Sequence, residues 1–241
     1  MFAIELQAPF AACRPMAAGW YRPTATIITP SAAYGLLLNI AAFEMRLREG
    51  EEGHSGRIPA SLTRLDLPAM RLAIGVPAGS PLPRVQTVFQ QLHNYPVGKD
   101  AGVPVEWTKG AKNNITPVRR EFLSDVHLVV CVEADAEFEK RVLLGLEGKL
   151  NADRYGLPFV GDNAFLIDYL RLLGDTPPCR WYQQVRKETG QDRLQLTTRL
   201  TAWVDREDMT KTRSYLFAPK EEALSEPPED AWTPIPPNQQ T

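Results

Sequence analysis

Hydrophobic and polar positions alternate or recur along this chain in ways that set out most of its elements. Phe2-Ala3-Ile4-Glu5-Leu6 is a short strand with apolar neighbours on both sides, as an inner strand requires. Pro9 ends it, and residues 10–28 form an irregular loop holding Arg14, Trp20, Tyr21 and Arg22, with a short strand at its end. A helix follows. Thr29 is its N-cap and Pro30 its first helical residue, where a missing N–H costs nothing. Tyr34, Leu37, Leu38 and Ala41 then recur at helical spacing, and Leu36, Ile40 and Phe43 make a second apolar row. A helix apolar on two sides packs against more than one element. Gly35 in its second turn costs about 1 kcal/mol relative to alanine, which a close approach to a strand or ligand would offset.

Residues 46–60 read as a charged, solvated loop. Met70 to Val76 alternates as a strand, and residues 77–83 form a turn. Val85 to Leu92 fits either a strand or a short helix. Residues 93–117 are a long polar excursion of the kind that is functional or disordered in compact domains. Val126 to Val132 is the clearest core strand, and residues 134–151 read as a helix with Phe138, Val142, Leu143, Leu146 and Leu150 on its apolar face. Residues 155–163 are a Gly-rich turn, residues 164–173 a short helix or strand, and residues 200–204 and 212–217 a hairpin. The acidic, Pro-rich stretch from 220 to 241 reads as a mobile tail. The order is α+β: an RRM/ferredoxin-like N-terminal domain over 1–150, built on a split βαβ sheet with a long hairpin inserted at about 90–118, then a small C-terminal β region over 151–219.

Composition narrows the function only locally. The 241 residues carry a formal net charge of −2, which argues against a general nucleic-acid coat. Charge is unevenly placed, however. No carboxylate lies between Glu5 and Glu44, where the only charges are Arg14 and Arg22, so the helix start with its bare N–H groups suits an anion. From Arg84 to Arg120 six cations (Arg84, Lys99, Lys109, Lys112, Arg119, Arg120) face two acids (Asp100, Glu106), with Tyr95 and Trp107 interleaved. Cations for phosphates and flat rings for bases are the usual single-strand arrangement; a solvated charged loop is the plainer alternative.

Other chemistry has less support. No G-x-S-x-G elbow or phosphate-binding Walker loop occurs, and no metal-ligand spacing or cofactor motif is present. Cys13, Cys131 and Cys179 form no paired set and read as reduced thiols, consistent with a cytoplasmic protein. No signal peptide or membrane span is expected. Of three histidines, His54 reads as solvated and His127 as a strand residue. His93 stands near Tyr95 and the lysines, a set that could cleave RNA by acid–base catalysis without metal.

Three stretches resemble the Cas-five family, the RAMP-type subunit at the crRNA 5′ end of type I CRISPR Cascade complexes, and most closely its myxobacterial-subtype branch, whose members include DevS. They are Thr29-Pro30-Ser31-Ala32-Ala33-Tyr34-Gly35-Leu36-Leu37, similar to the family's P-P-S-x-x-Y-G-L-L, then Arg119-Arg120-Glu121-Phe122-Leu123 with its core strand, and the turn from Arg154 to Asn163. Thr-Pro replaces Pro-Pro at the helix start. The resemblance implies a non-catalytic subunit that holds the 5′ handle of crRNA, with the excursion as a hairpin thumb. Lys109, Lys112, Asn113 and Asn114 would contact RNA at its tip or stem. Arg14, Arg22, Ser31 and Tyr34 would flank the handle, and Arg119 and Arg120 would complete the RNA-binding set. Implied partners are a Cas-seven backbone subunit, a Cas-eight large subunit and, through the guide, target DNA. Two alternatives are a metal-independent endoribonuclease of the same family and an interaction module acting through the acidic tail.

Overall fold

A computed structural model describes residues 1–15, 19–47, 62–96, 102, 104–109, 112–185 and 196–237. The stretch 48–61, expected to be a charged loop and holding His54, and Lys99 and Asp100 lie outside these residues. The strands are β1 (Phe2–Ala11), β2 (Tyr21–Arg22), β3 (Met70–Pro77), β4 (Arg84–Pro96), β5 (Asn113–Glu133), β6 (Tyr169–Leu173), β7 (Cys179–Gln184), β8 (Thr198–Trp203), β9 (Arg213–Pro219) and β10 (Thr233–Ile235). The helices are α1 (Pro30–Ile40), the single turn α2 (Val105–Thr108) and α3 (Ala136–Leu146). The chain is therefore mixed α and β with a mostly antiparallel sheet, running β6-β1-β5-β3-β7-β9-β8.

One face of β1, β3 and β5 carries the main core. Ile4, Leu6, Leu72, Ile74, Val130 and Val132 point at Leu36 and Leu37 of α1 and Phe138 and Val142 of α3. Both helices have side-chain caps: Thr29 Oγ1 accepts the Ala32 N–H and Asp135 Oδ1 accepts the Phe138 N–H. Their close crossing needs Gly145, where a Cβ would collide with the Ile40 carbonyl. Gly35 has no such reason, because a Cβ there would meet nothing within 4 Å. The other face holds a smaller core of Ala3, Ala73, Val129, Cys131, Cys179 and Trp181.

That second core corrects the expectation of a mobile tail. Trp232 and Ala231 close it, β10 pairs with β3, and Thr233 and Ile235 are buried. The acidic residues face outward while the apolar ones interleaved among them pack, so composition over the stretch hid its period. Trp181 Nε1 also donates to the Leu224 carbonyl at 2.7 Å.

The ambiguous stretch 85–92 is strand, and β4 and β5 reach into both ends of the excursion, to Pro96 and from Asn113. β5 is 21 residues long. Its second half lies in the central sheet between β1 and β3. Its first half leaves that sheet with β4, in register from Arg84↔Ser124 to His93↔Ile115. The hairpin thus begins near Arg84 and rejoins the core near Ser124, longer than the expected 90–118. Asp125, at φ 59°, marks the bend: Leu123 and Val126 reach the same core although three residues apart. β1 stays paired with β5 as far as Ala11↔Leu123; beyond that β2 takes its place, running parallel as Tyr21↔Arg119 and Arg22↔Arg120.

Candidate nucleic-acid interface

The projecting arm has three strands at its root, β2-β5-β4, and two unlike faces. Residues directly opposite one another share a face. On the open face Tyr21, Arg119 and Phe89 form one row across the three strands. Phe89 is 74% exposed, and the Arg119 guanidinium lies 5.2 Å from the Tyr21 ring centre. The Tyr21 hydroxyl donates to Glu121 Oε1 at 2.5 Å, and the Thr24 N–H donates to Glu121 Oε2 at 3.2 Å, which ties that carboxylate to the loop. Trp20, 62% exposed, lies beside Tyr21 with ring centres 6.4 Å apart.

On the opposite face the Gly-rich turn covers β5, while Gln86 and Val88 of β4 on that face stay exposed. Arg120 stacks over Phe165, its guanidinium 4.9 Å from the ring centre. Phe122 meets Phe10 edge-on at 5.2 Å and Phe165 at 5.8 Å. At the centre of this face is Asp162, whose carboxylate takes Arg120 Nη2 at 2.6 Å, the Arg14 guanidinium and the Ala164 N–H. Burial works to raise the Asp162 carboxyl, but the Ala164 N–H and the two guanidiniums outweigh it and hold its pKa below the usual carboxylate range. Gly161 makes the approach possible. It sits at φ +75°, and a Cβ there would collide with the Ala12 carbonyl oxygen.

The sequence-derived site residues therefore separate into groups. Arg14, Arg22, Arg119 and Arg120 do gather at the root of the arm. Of these, Arg14 and Arg120 are paired with Asp162, and Arg119 is exposed on the open face. Lys109 and Lys112 are exposed at the far end of the arm around α2, next to Trp107, which is 77% exposed. Asn113 pairs opposite Pro96, and Asn114 Oδ1 accepts the Thr116 hydroxyl.

Ser31 and Tyr34 are not at this site. The Ser31 hydroxyl donates to the Thr201 carbonyl at 2.9 Å. Tyr34 is buried against Trp203, with its hydroxyl donating to the Pro68 carbonyl at 2.9 Å. Burial pushes its phenol pKa up. The C-terminal strands cover the helix start, so the acid-free opening segment does not present it as an anion pocket. Sequence reasoning missed Asp162, Phe89 and the Trp20-Tyr21 pair as site residues. Asp162 stood inside a quoted turn, but nothing local told that it would bind two arginines 42 and 148 positions away.

His127 is engaged on both ring nitrogens. Nδ1 lies 2.9 Å from Ser80 Oγ, and Nε2 lies 2.7 Å from Glu5 Oε1. Glu5 also takes Arg171 Nε at 2.7 Å. Burial works to raise the Glu5 carboxyl, but hydrogen bonds from His127, Arg171 and Gln7 hold its pKa below the usual value. The three cysteines are buried, which pushes Cys13 and Cys131 up to about 11 and Cys179 to about 12, so they are unreactive thiols. Among the described residues no helix is long and apolar enough to cross a membrane.

A mixed sheet that sends one long strand out into an arm is a framework for presenting a surface. A sequence model described as "CRISPR-associated protein (Cas_Cas5)" matches residues 1–151. The chain belongs to the Cas-five family of CRISPR-associated proteins. Among solved structures, a chain of a "CRISPR RNA-guided surveillance complex" matches with TM-score 0.51 at 14% identity, covering 95% of each chain, and so shares the fold. A second, titled "Crystal structure of Cas protein", matches with TM-score 0.45 at 13% identity over 94% of this chain and 99% of that one. Among curated proteins none matched.

Proposed function

We propose that this chain is a non-catalytic subunit of a type I Cascade complex that holds the 5′ handle of crRNA along its β4–β5 arm. The observation that carries the reading is the arm itself: β4 is exposed from Arg84 to Gln91 where it pairs with β5, and Lys109, Lys112 and Arg119 project from a protein that is acidic overall. A strand solvated on both faces has little reason to exist in the free protein, and a polyanion supplies one. Family membership supports the reading. The reading takes the core as an RRM/ferredoxin-like split βαβ sheet, supported by the order β6-β1-β5-β3 with helices α1 and α3 in the crossovers. The engaged state of His127 favours a structural role for that histidine over a free base. Partners on this reading are the Cas-seven backbone and Cas-eight large subunits.

Filter binding of repeat-derived handle RNA at about 150 mM salt tests it, because phosphate contacts are still felt there. Replacing Lys109, Lys112 and Arg119 together by alanine is expected to lower affinity by about tenfold or more. Unchanged affinity removes the assignment.

A further inference from the structure

We infer that the row Tyr21–Arg119–Phe89 on the open face of the arm is a stacking platform for unpaired bases, purines above all, with Trp20 extending it at one end. The inference rests on the RNA-binding reading and adds which surface meets the bases.

Phe89 lies in the middle of β4, directly opposite Arg119, yet is 74% exposed. Truncating a ring so solvated changes little in the free protein, so folding does not explain it. Its neighbours give it a chemical context. Arg119 is the next residue across the sheet, and Tyr21 the one beyond, held by its hydroxyl on Glu121 and lying against the Arg119 guanidinium. Adjacent strands are about 4.8 Å apart, so the row from Phe89 to Tyr21 spans roughly 10 Å. That length accommodates a base on Phe89 and a second on Tyr21 or Trp20. Arg119 between them meets a phosphate or stacks on a base through its own plane.

A guanidinium set between exposed rings distinguishes this surface from a plain apolar docking patch. Protein interfaces also use Tyr, Trp and Arg, but typically surround them with apolar contacts that exclude water. Here Gln91 and Thr87 flank Phe89 on the same face and are exposed. The opposite face cannot serve the same end: Arg120 is pinned to Asp162 and Phe165 beneath the Gly-rich turn.

Stacking makes a prediction that phosphate binding does not. Fluorescence anisotropy of the full-length chain with 5′-labelled oligoriboadenylate and oligouridylate, about eight nucleotides each, is expected to show tighter binding of the adenylate, since purines stack more strongly. Phe89→Ala should weaken adenylate binding by at least about fivefold and erase the preference, while leaving the dependence on salt unchanged. Phe89→Trp should keep both affinity and preference. Arg119→Ala should lower the slope of log K against log salt by about 0.7. The inference is overturned if Phe89→Ala binds adenylate as the wild type does, or if it keeps RNA binding and loses only assembly with the other proteins of the complex. A wild-type chain that binds neither oligonucleotide at about 50 mM salt overturns the RNA-binding reading itself, an outcome no variant is needed to recognise.

Discussion

The two faces of the arm use the same residue types for opposite ends. On the covered face, Arg120 meets an aromatic ring and a buried carboxylate, so its charge is spent inside the protein. On the open face, Arg119, its neighbour in sequence, meets the Tyr21 ring and solvent. Alternation along β5 puts the two arginines on opposite sides, and a turn more than 35 residues away decides which one is neutralised. The Arg119-Arg120 pair is thus one structural and one displayed cation. Charge counted along the sequence cannot separate them.

The largest expected effect is on the covered side. Asp162→Asn leaves Arg14 and Arg120 without their counter-charge and should cost about 3 kcal/mol of stability, the low end for unpairing a buried charge because Arg14 remains partly in water. Denaturant melts of the purified protein read this directly. A loss below about 0.5 kcal/mol would show that Asp162 does not hold the turn to the arm.

Gly161→Ala acts on the same contact through the backbone. A Cβ at a positive φ, against the Ala12 carbonyl, should cost about 2 kcal/mol or displace the turn. If the turn moves, Arg120 should become more accessible to solvent, which hydrogen exchange at β5 would detect.

Acid offers a third handle, with a defined sign. The folded pKa of Asp162 lies below its ordinary value of 3.8. Its contribution to stability is therefore complete above that value and is lost as pH falls through the lower, folded one. Wild-type stability should fall in that window, and Asp162→Asn should flatten part of the fall. Glu5, also lowered and bound by His127 and Arg171, supplies a separate share that Asp162→Asn leaves in place.

The smallest expected effect on stability is on the open side. Phe89→Ala should change it by no more than about 0.5 kcal/mol, because the ring is largely in water already. A larger loss would mean the two faces are both structural.

Much of the frame was legible in the sequence because it is written in local periods. Thr29 and Pro30 marked the start of α1, alternation marked β3, and the apolar run 126–132 marked the buried half of β5. The final hairpin β8–β9 followed from two apolar runs around a charged turn. What escaped depends on contacts between distant segments. Tyr34 has the same identity whether it lies under β8 or faces a ligand, and only the placement of Trp203 and Pro68 settles which. The residues 220–237 read as a tail because their acids and prolines dominate, while Trp232 and Ile235 carry the packing. Phe89 looked like part of an undecided segment, since a strand exposed on both faces lacks the apolar alternation that announces strands.

Arg119 is displayed and Arg120 is internal, and one measurement separates them: RNA affinity of Arg119→Ala and Arg120→Ala as a function of salt, using the full chain and repeat-derived handle RNA. The expected result is a salt slope lower by about 0.7 for Arg119→Ala and an unchanged slope for Arg120→Ala. A lower slope for Arg120→Ala, with none for Arg119→Ala, would contradict it.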